Sequence, residues 1–217
     1  MDKKILFIGD SWVTNFFGPR PPHDKTPIYQ FWKEKGFNPH FIGNPGRDTQ
    51  TILDIWIKYI PYLSEEDLLV IILPVFSRTR LPKTEYGNLH IHKNIPNFHD
   101  YFVGSNSFTP TEMSLEIWGT QHTKDYFKKN LETQELINGS NASILNFIEI
   151  VDSLSKITPC KKIVHCWDYK KYNSDNIIYR EEMTNLIGSW ETIEDGHWNS
   201  EMNMKFMEFL IKYFNKN

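Results

Sequence analysis

Short runs of consecutive apolar residues recur along the chain and predict the strands of a sheet. Three of them, KKILFIG, PHFIG and DLLVIIL, end at Gly9, Gly43 and Leu73, and a fourth spans 162–167. Continuous apolar runs of this length are typical of strands that are buried on both faces. A short fifth strand is predicted near 190–193.

Between these runs, apolar residues recur every third or fourth position, which predicts amphipathic helices. The predicted helices span 27–35, a stretch from Asp48 or Thr49 to Pro61, one long or two successive helices within 124–156, and 200–214. Strands that alternate with helices predict a parallel sheet covered by helices on both faces. The sequence therefore predicts an α/β fold with three layers and about five parallel strands.

One segment, 77–121, breaks this alternation. It carries prolines, glycines and aromatic residues without a clear period, and it is longer than an ordinary connection. Its aromatic content argues against disorder, so we expect an irregular insertion that forms a wall of a substrate site. No cysteine or carboxylate has convincing ligand spacing around its His90, His92 and His99, so solvated histidines are favoured over a metal site.

Composition excludes several classes of protein. A chain of 217 residues, 40% of them hydrophobic, can bury one sizeable core, so a single domain spanning 1–217 is predicted. A net charge of -3 with interleaved signs gives no basic face for nucleic acid. No apolar run approaches a membrane span, and the first strand starts too early for a signal peptide. We therefore expect a cytoplasmic protein with reduced cysteines and without a cofactor.

Chemically capable residues follow several of the predicted strands. Ser11 comes directly after the first strand, a loop with Gly46 follows the second, and Asp195 and His197 precede the last helix. Open α/β sheets bind their ligands at the carboxyl ends of the strands. Serine, histidine, carboxylate and backbone N–H donors are the parts that acyl transfer needs. Taken singly, Ser11, Gly46 and His197 are equally explained as a helix cap, a turn glycine and a second cap.

Three short motifs in this order resemble the SGNH hydrolases, also called GDSL esterases and lipases. Gly9-Asp10-Ser11 is similar to the block that carries the nucleophilic serine, and Asn44-Pro45-Gly46 to the block whose glycine amide helps to form the oxyanion hole. Asp195-Gly196-His197 is similar to the last block, which supplies acid and base. The resemblance spans nearly the whole chain and implies a flavodoxin-like sandwich with five parallel strands. It also implies an oxyanion hole formed by the amides of Ser11 and Gly46.

Two departures from the family pattern stand out. The third block carries an asparagine donor where this chain has Phe76, with Ser77 or Arg78 as substitutes. The loss of one oxyanion donor typically costs about 10²–10³ in rate. The family aspartate commonly stands three residues before the histidine, a position that Glu194 holds here. Asp195 is favoured because residues two apart in an extended loop point the same way, and Glu194 is the alternative.

The predicted function is that of a serine-dependent esterase that acts on short acyl esters, with acetyl among the acyl groups, of a small molecule or a carbohydrate. An acyltransferase that uses a sugar hydroxyl in place of water, and a binding module with weakened catalysis, are the alternatives. We expect substrate contacts from residues near the strand ends: Asp10, Ser77, Arg78, Arg80 and Trp198.

Overall fold

The computed structural model describes residues 3–17, 23–43, 48–74, 79–82, 101–104, 141–168, 171–193 and 197–216. Contacts between residues divide the chain into two units. One consists of Met1–Val75 and Phe147–Asn217, and the other of Phe76–Asn146. The predicted site residues Ser11 and His197 both belong to the first unit.

The described strands form two sheets. In chain order they are β1 (Lys4–Gly9), β2 (Asn38–Gly43), β3 (Leu68–Leu73), β4 (Thr79–Pro82), β5 (Tyr101–Gly104), β6 (Lys161–Cys166) and β7 (Ile177–Tyr179). The larger sheet has the order β2-β1-β3-β6-β7, and all of its strand pairs are parallel. This is the doubly wound order in which a crevice opens where the order reverses, beside β1 and β3.

Six α-helices lie within the described residues. They are α1 (Ser11–Phe17), α2 (Pro27–Glu34), α3 (Thr49–Tyr59), α4 (Asn141–Ile157), α5 (Arg180–Ile187) and α6 (Ser200–Lys216), and short 3₁₀ turns occupy His23–Lys25 and Ile60–Tyr62. Polar side chains cap the starts of α2 and α3. Thr26 Oγ1 accepts a hydrogen bond from Tyr29 N, and Asp48 Oδ1 accepts one from Thr51 N. These caps satisfy N–H groups that have no partner inside the helix.

The sheet is buried on both faces. Side chains alternate along a strand, so Phe7 and Val70 join the cluster formed with α1, α2, α5 and α6. Leu6 and Ile71 are equally buried and face the other layer, where α3 contacts β1 and β3. The Trp56 indole of α3 donates to Thr158 Oγ1, just beyond α4, over a distance of 2.9 Å. The fold is thus the predicted three-layer α/β sandwich of flavodoxin-like type.

The structure corrects one prediction about strands. The fifth parallel strand is β7 rather than 190–193, where Thr192 forms only an isolated antiparallel bridge with Trp198. Trp190 packs against other tryptophan rings instead of joining the sheet. Within the insertion 77–121, the short strands β4 and β5 pair in an antiparallel manner. Strands of three or four residues are too short to show a recognisable period.

Candidate active site

A glycine brings the end of β1 into close contact with its neighbours. A Cβ atom on Gly9 would lie 2.6 Å from Val13 Cγ2 and 2.9 Å from the carbonyl oxygen of Ile72. Real Cβ atoms do not approach other atoms this closely, so a larger residue would push α1 away from β3. The glycine therefore allows the chain to pass directly from β1 into α1, at whose first position Ser11 stands.

Asp10 separates the strand from the helix and is fully buried. Its Oδ1 accepts a hydrogen bond from Trp12 N at 3.1 Å, which satisfies a donor in the first turn of α1. A carboxylate in this position fixes the turn that presents Ser11. Asp10 has no exposed surface, and its contact with a substrate stays a prediction.

Ser11 and His197 lie within hydrogen-bonding distance although 186 positions separate them. Ser11 Oγ and His197 Nε2 are 2.7 Å apart. When the imidazole is neutral and carries its proton on Nδ1, Nε2 accepts a hydrogen bond from the serine hydroxyl. This is the contact through which a histidine removes the proton of a nucleophilic serine.

The loop that carries His197 is closed by contacts between its two ends. Ile193 N donates to His197 O at 2.8 Å, and Thr192 bridges Trp198. Beyond the bridge, Asn199 Oδ1 accepts a hydrogen bond from Met202 N in the first turn of α6. The described parts of the loop thus hold His197 between an antiparallel bridge and the start of a helix.

A cluster of tryptophans contacts the histidine through Trp12. The Trp12 ring centroid lies 5.6 Å from that of His197, 5.6 Å from that of Trp190 and 5.9 Å from that of Trp167. It also meets the Trp198 ring at 4.8 Å and 90°. Trp198 is 1% exposed and packs within this cluster, and its contact with a substrate stays a prediction.

Two further residues near this cluster were not singled out by sequence reasoning. The Arg180 guanidinium, at the start of α5, lies 4.5 Å from the ring centroid of Trp190. His165, in β6, donates from Nδ1 to Ile178 O, and its ring lies parallel to Trp198 at 6.0 Å. Burial is the main cause that lowers the pKa of His165 to about 4. Neither residue could have been found from the sequence alone, because an arginine near a tryptophan and a histidine at the end of a strand are weak signals of a site.

The remaining predicted site residues lie beyond what the structure describes. Arg80 belongs to β4, and its side chain is not described. The loop residues, including both candidate acids and the position of the missing asparagine, fall outside the described ranges: Gly46, Phe76, Ser77, Arg78, Glu194 and Asp195. Their roles stay predictions.

No group of three or more histidine, cysteine, aspartate or glutamate side chains that could hold a metal occurs in the described part of the chain. His90, His92 and His99 lie outside that part. Within the same ranges, none of the helices has the length and apolar character needed to cross a membrane.

No family model matches the chain, and no curated protein matches it significantly. The interpretation of the site therefore rests on the geometry of Ser11 and His197 and on the resemblance of the three motifs.

Proposed function

We propose that this protein is a serine-dependent esterase that hydrolyses short acyl esters, acetyl esters among them, of a small molecule or a carbohydrate. The observation that carries the proposal is the distance of 2.7 Å between Ser11 Oγ and His197 Nε2. The position of Ser11 after β1, at the edge where doubly wound sheets bind ligands, supports it. The ordered resemblance to SGNH hydrolases supports it independently.

The chemistry follows from this pair. Ser11 Oγ attacks the acyl carbon of the ester while His197 Nε2 takes the hydroxyl proton, which gives a tetrahedral intermediate. His197 then returns the proton to the departing alcohol, and the acyl group stays on Ser11. A water molecule, deprotonated by the same imidazole, releases the carboxylic acid and restores the serine. Each step uses His197 first as a base and then as an acid.

Two further parts complete the proposed machinery. Backbone amides stabilise the oxyanion, and the resemblance assigns those of Ser11 and Gly46 to this role. A carboxylate, Asp195 or Glu194, accepts a hydrogen bond from the Nδ1–H of His197 and stabilises the imidazolium as it forms. With Phe76 in place of the asparagine donor, we expect turnover below that of an enzyme with three donors.

A panel of p-nitrophenyl esters with acetyl, butyryl and octanoyl groups tests the proposal. We expect the acetyl ester to be hydrolysed fastest, and Ser11→Ala and His197→Gln each to lower kcat by at least about 10³. Ser153→Ala is the matched control, because Ser153 is an exposed serine whose hydroxyl donates to Glu149 O within α4. A serine-directed fluorophosphonate should label Ser11, as mapped by peptide mass spectrometry. Full activity of Ser11→Ala would refute the proposal.

The same assay separates the alternatives. Acyl transfer to an added sugar at the expense of hydrolysis would identify an acyltransferase that uses the same serine chemistry. Saturable binding of an ester without turnover or labelling would identify a binding module.

A further inference from the structure

The residue after the proposed nucleophile and the residue after the proposed base are both tryptophans. Trp12 follows Ser11, Trp198 follows His197, and the two indole rings meet edge to face with centroids 4.8 Å apart and planes at 90°. Both side chains are almost fully buried, with 4% and 1% of their surface exposed. Perpendicular packing at this distance is the favoured geometry for a pair of aromatic rings.

The two tryptophans lie next to a contact that depends on the exact placement of Ser11 and His197. Ser11 lies at the junction of β1 and α1, and His197 lies in a loop before α6, so the contact between them joins parts of the chain that are far apart in sequence. A hydrogen bond of 2.7 Å is lost when either segment shifts by about 1 Å. Trp12 and Trp198 are each bonded directly to one residue of this pair. Packing between their rigid rings can therefore set the distance between Ser11 Oγ and His197 Nε2.

We propose that the Trp12–Trp198 ring pair is a positioning element that holds Ser11 and His197 at hydrogen-bonding distance. Two further contacts support this role. The Trp12 ring lies 5.6 Å from the His197 ring, and Trp190 packs against both Trp12 and Trp198. The catalytic meaning of the pair rests on the proposed function. The claim that the pair sets the distance between residues 11 and 197 does not rest on that function, because this distance can be probed without an ester.

Burial alone does not explain the arrangement. Trp56 is as buried as Trp198, yet its indole donates to Thr158 Oγ1 in the layer on the other face of the sheet. Trp56→Leu therefore removes a comparable amount of buried aromatic surface from the core without touching the ring pair. It serves as the control for a general loosening of the fold.

The test replaces the serine by a thiol. In Ser11→Cys, an imidazole beside the sulfur favours the thiolate, so iodoacetamide at pH 7 should alkylate the introduced thiol at least about tenfold faster than in Ser11→Cys/His197→Gln. The native thiols do not interfere, because both are buried and burial raises their pKa, that of Cys160 to about 11. Peptide mass spectrometry assigns the modified residue.

Substitutions at the pair are then added to Ser11→Cys. We expect Trp12→Leu or Trp198→Leu to slow alkylation about tenfold, with no larger effect when both are present, since either change breaks the same contact. The corresponding phenylalanine variants keep an aromatic edge and should retain most of the rate, and Trp56→Leu should retain all of it. In the serine protein, the leucine variants should lower kcat about tenfold and leave KM unchanged.

Cooperative thermal unfolding shows which variants are folded, and methionine replaces leucine at a position where leucine prevents folding. Folded variants without the aromatic pair that alkylate as fast as Ser11→Cys overturn the proposal, as does an equal rate in Ser11→Cys and Ser11→Cys/His197→Gln. If the wild type hydrolyses no ester but the leucine variants still slow alkylation, the proposed function fails and the positioning role of the pair is supported.

Discussion

Ser11 owes its position to a neighbour that has no side chain. Gly9 places the end of β1 directly against Val13 of α1 and the backbone of Ile72 in β3. A methyl group at Gly9 can displace the Val13 side chain. It cannot displace the Ile72 carbonyl oxygen in the same way, because that atom belongs to the backbone of the sheet. The position thus favours glycine for reasons of space.

We predict that Gly9→Ala destabilises the fold by about 1–3 kcal/mol, as overpacking in a tight core does, and also lowers kcat because α1 moves with Ser11. Urea unfolding and the acetyl ester assay measure the two effects. Adding Val13→Ala should recover only part of the stability, since it relieves one of the two contacts. A variant as stable as the wild type would contradict the prediction.

The acid partner of His197 is the second question at this scale. The preference for Asp195 rests on the alternation of side chains in an extended loop, and residues 194–196 lie outside the described ranges. Alternation of side chains therefore does not decide between Asp195 and Glu194. The similarity of Asp195-Gly196-His197 to the last block of the SGNH hydrolases still favours Asp195.

We predict that Asp195→Asn lowers kcat by roughly 10⁴, because an imidazole in the wrong tautomer cannot accept the serine proton, and that it changes stability little. Glu194→Gln should stay near the wild type. Steady-state kinetics and thermal unfolding of both variants measure this. The reverse pattern would assign the role to Glu194, and two mild effects would mean that His197 acts without a carboxylate.

At the scale of elements, Asn199 joins α6 to the loop that carries the base. Its Oδ1 accepts from Met202 N at 2.8 Å, and its Nδ2 donates to Glu191 Oε2 at 3.2 Å. The first bond satisfies an N–H in the first turn of the helix, and the second ties the two ends of the loop together. Since His197 lies two residues before Asn199, both bonds bear on where the imidazole sits.

We predict that Asn199→Ala costs about 1 kcal/mol of stability and lowers kcat several-fold. Asn199→Ser separates the two bonds, because a serine hydroxyl still caps the helix but cannot reach Glu191. It should keep most of the stability and show the kinetic loss. Urea unfolding with parallel kinetics is the measurement, and unchanged kcat in both variants would leave Asn199 a cap without influence on the site.

Sequence patterns predicted the long elements and missed the short ones. β1 and β3 were predictable because strands buried on both faces are apolar throughout. β7 has three residues, too few for a pattern, and Trp190 suggested a strand where it instead packs with Trp12. The order of the motifs anticipated that Ser11 and His197 would meet. Contact between Trp12 and Trp198 leaves no local pattern, because it depends on the tertiary fold.

At the scale of the whole molecule, His165 connects the sheet with the aromatic cluster of the site. It lies in β6, is fully buried, donates from Nδ1 to Ile178 O in β7, and stacks on Trp198. Its Nε2 has no hydrogen-bond partner among the described residues. A proton on Nε2 would therefore place an uncompensated charge inside the core.

This burial makes the stability of the protein depend on pH. Burial, and secondarily the nearby Arg180, lower the pKa of His165 to about 4, against the hydrogen bond to Ile178 O, which raises it. In the unfolded chain the imidazole binds a proton near a pH of about 6.5. Between these values the unfolded state holds the proton and the folded state does not, so stability falls as the pH drops from about 6.5 to about 4.

Asp67 makes the stability of the protein depend on pH in a lower range. Burial raises the pKa of its carboxyl, but hydrogen bonds from Ser64 and Lys4 outweigh this and hold the pKa below its usual value. Its contribution is complete above the unfolded pKa of about 4 and is lost as the pH falls further. The loss of stability from Asp67 therefore falls below the interval in which His165 acts.

We predict that the free energy of unfolding of the wild type, from urea titrations at pH 7.0, 5.5 and 4.5, decreases by up to about 3 kcal/mol over this interval. His165→Gln cannot take up a proton and should show a markedly flatter dependence, whatever its stability at pH 7. His40→Gln is the matched control: the pKa of His40 is also lowered by burial, but this side chain lies on an exposed edge of β2 and should contribute less. An equally steep decrease in His165→Gln and the wild type would show that other groups carry the acid sensitivity, and that His165 is protonated in the folded protein at little cost.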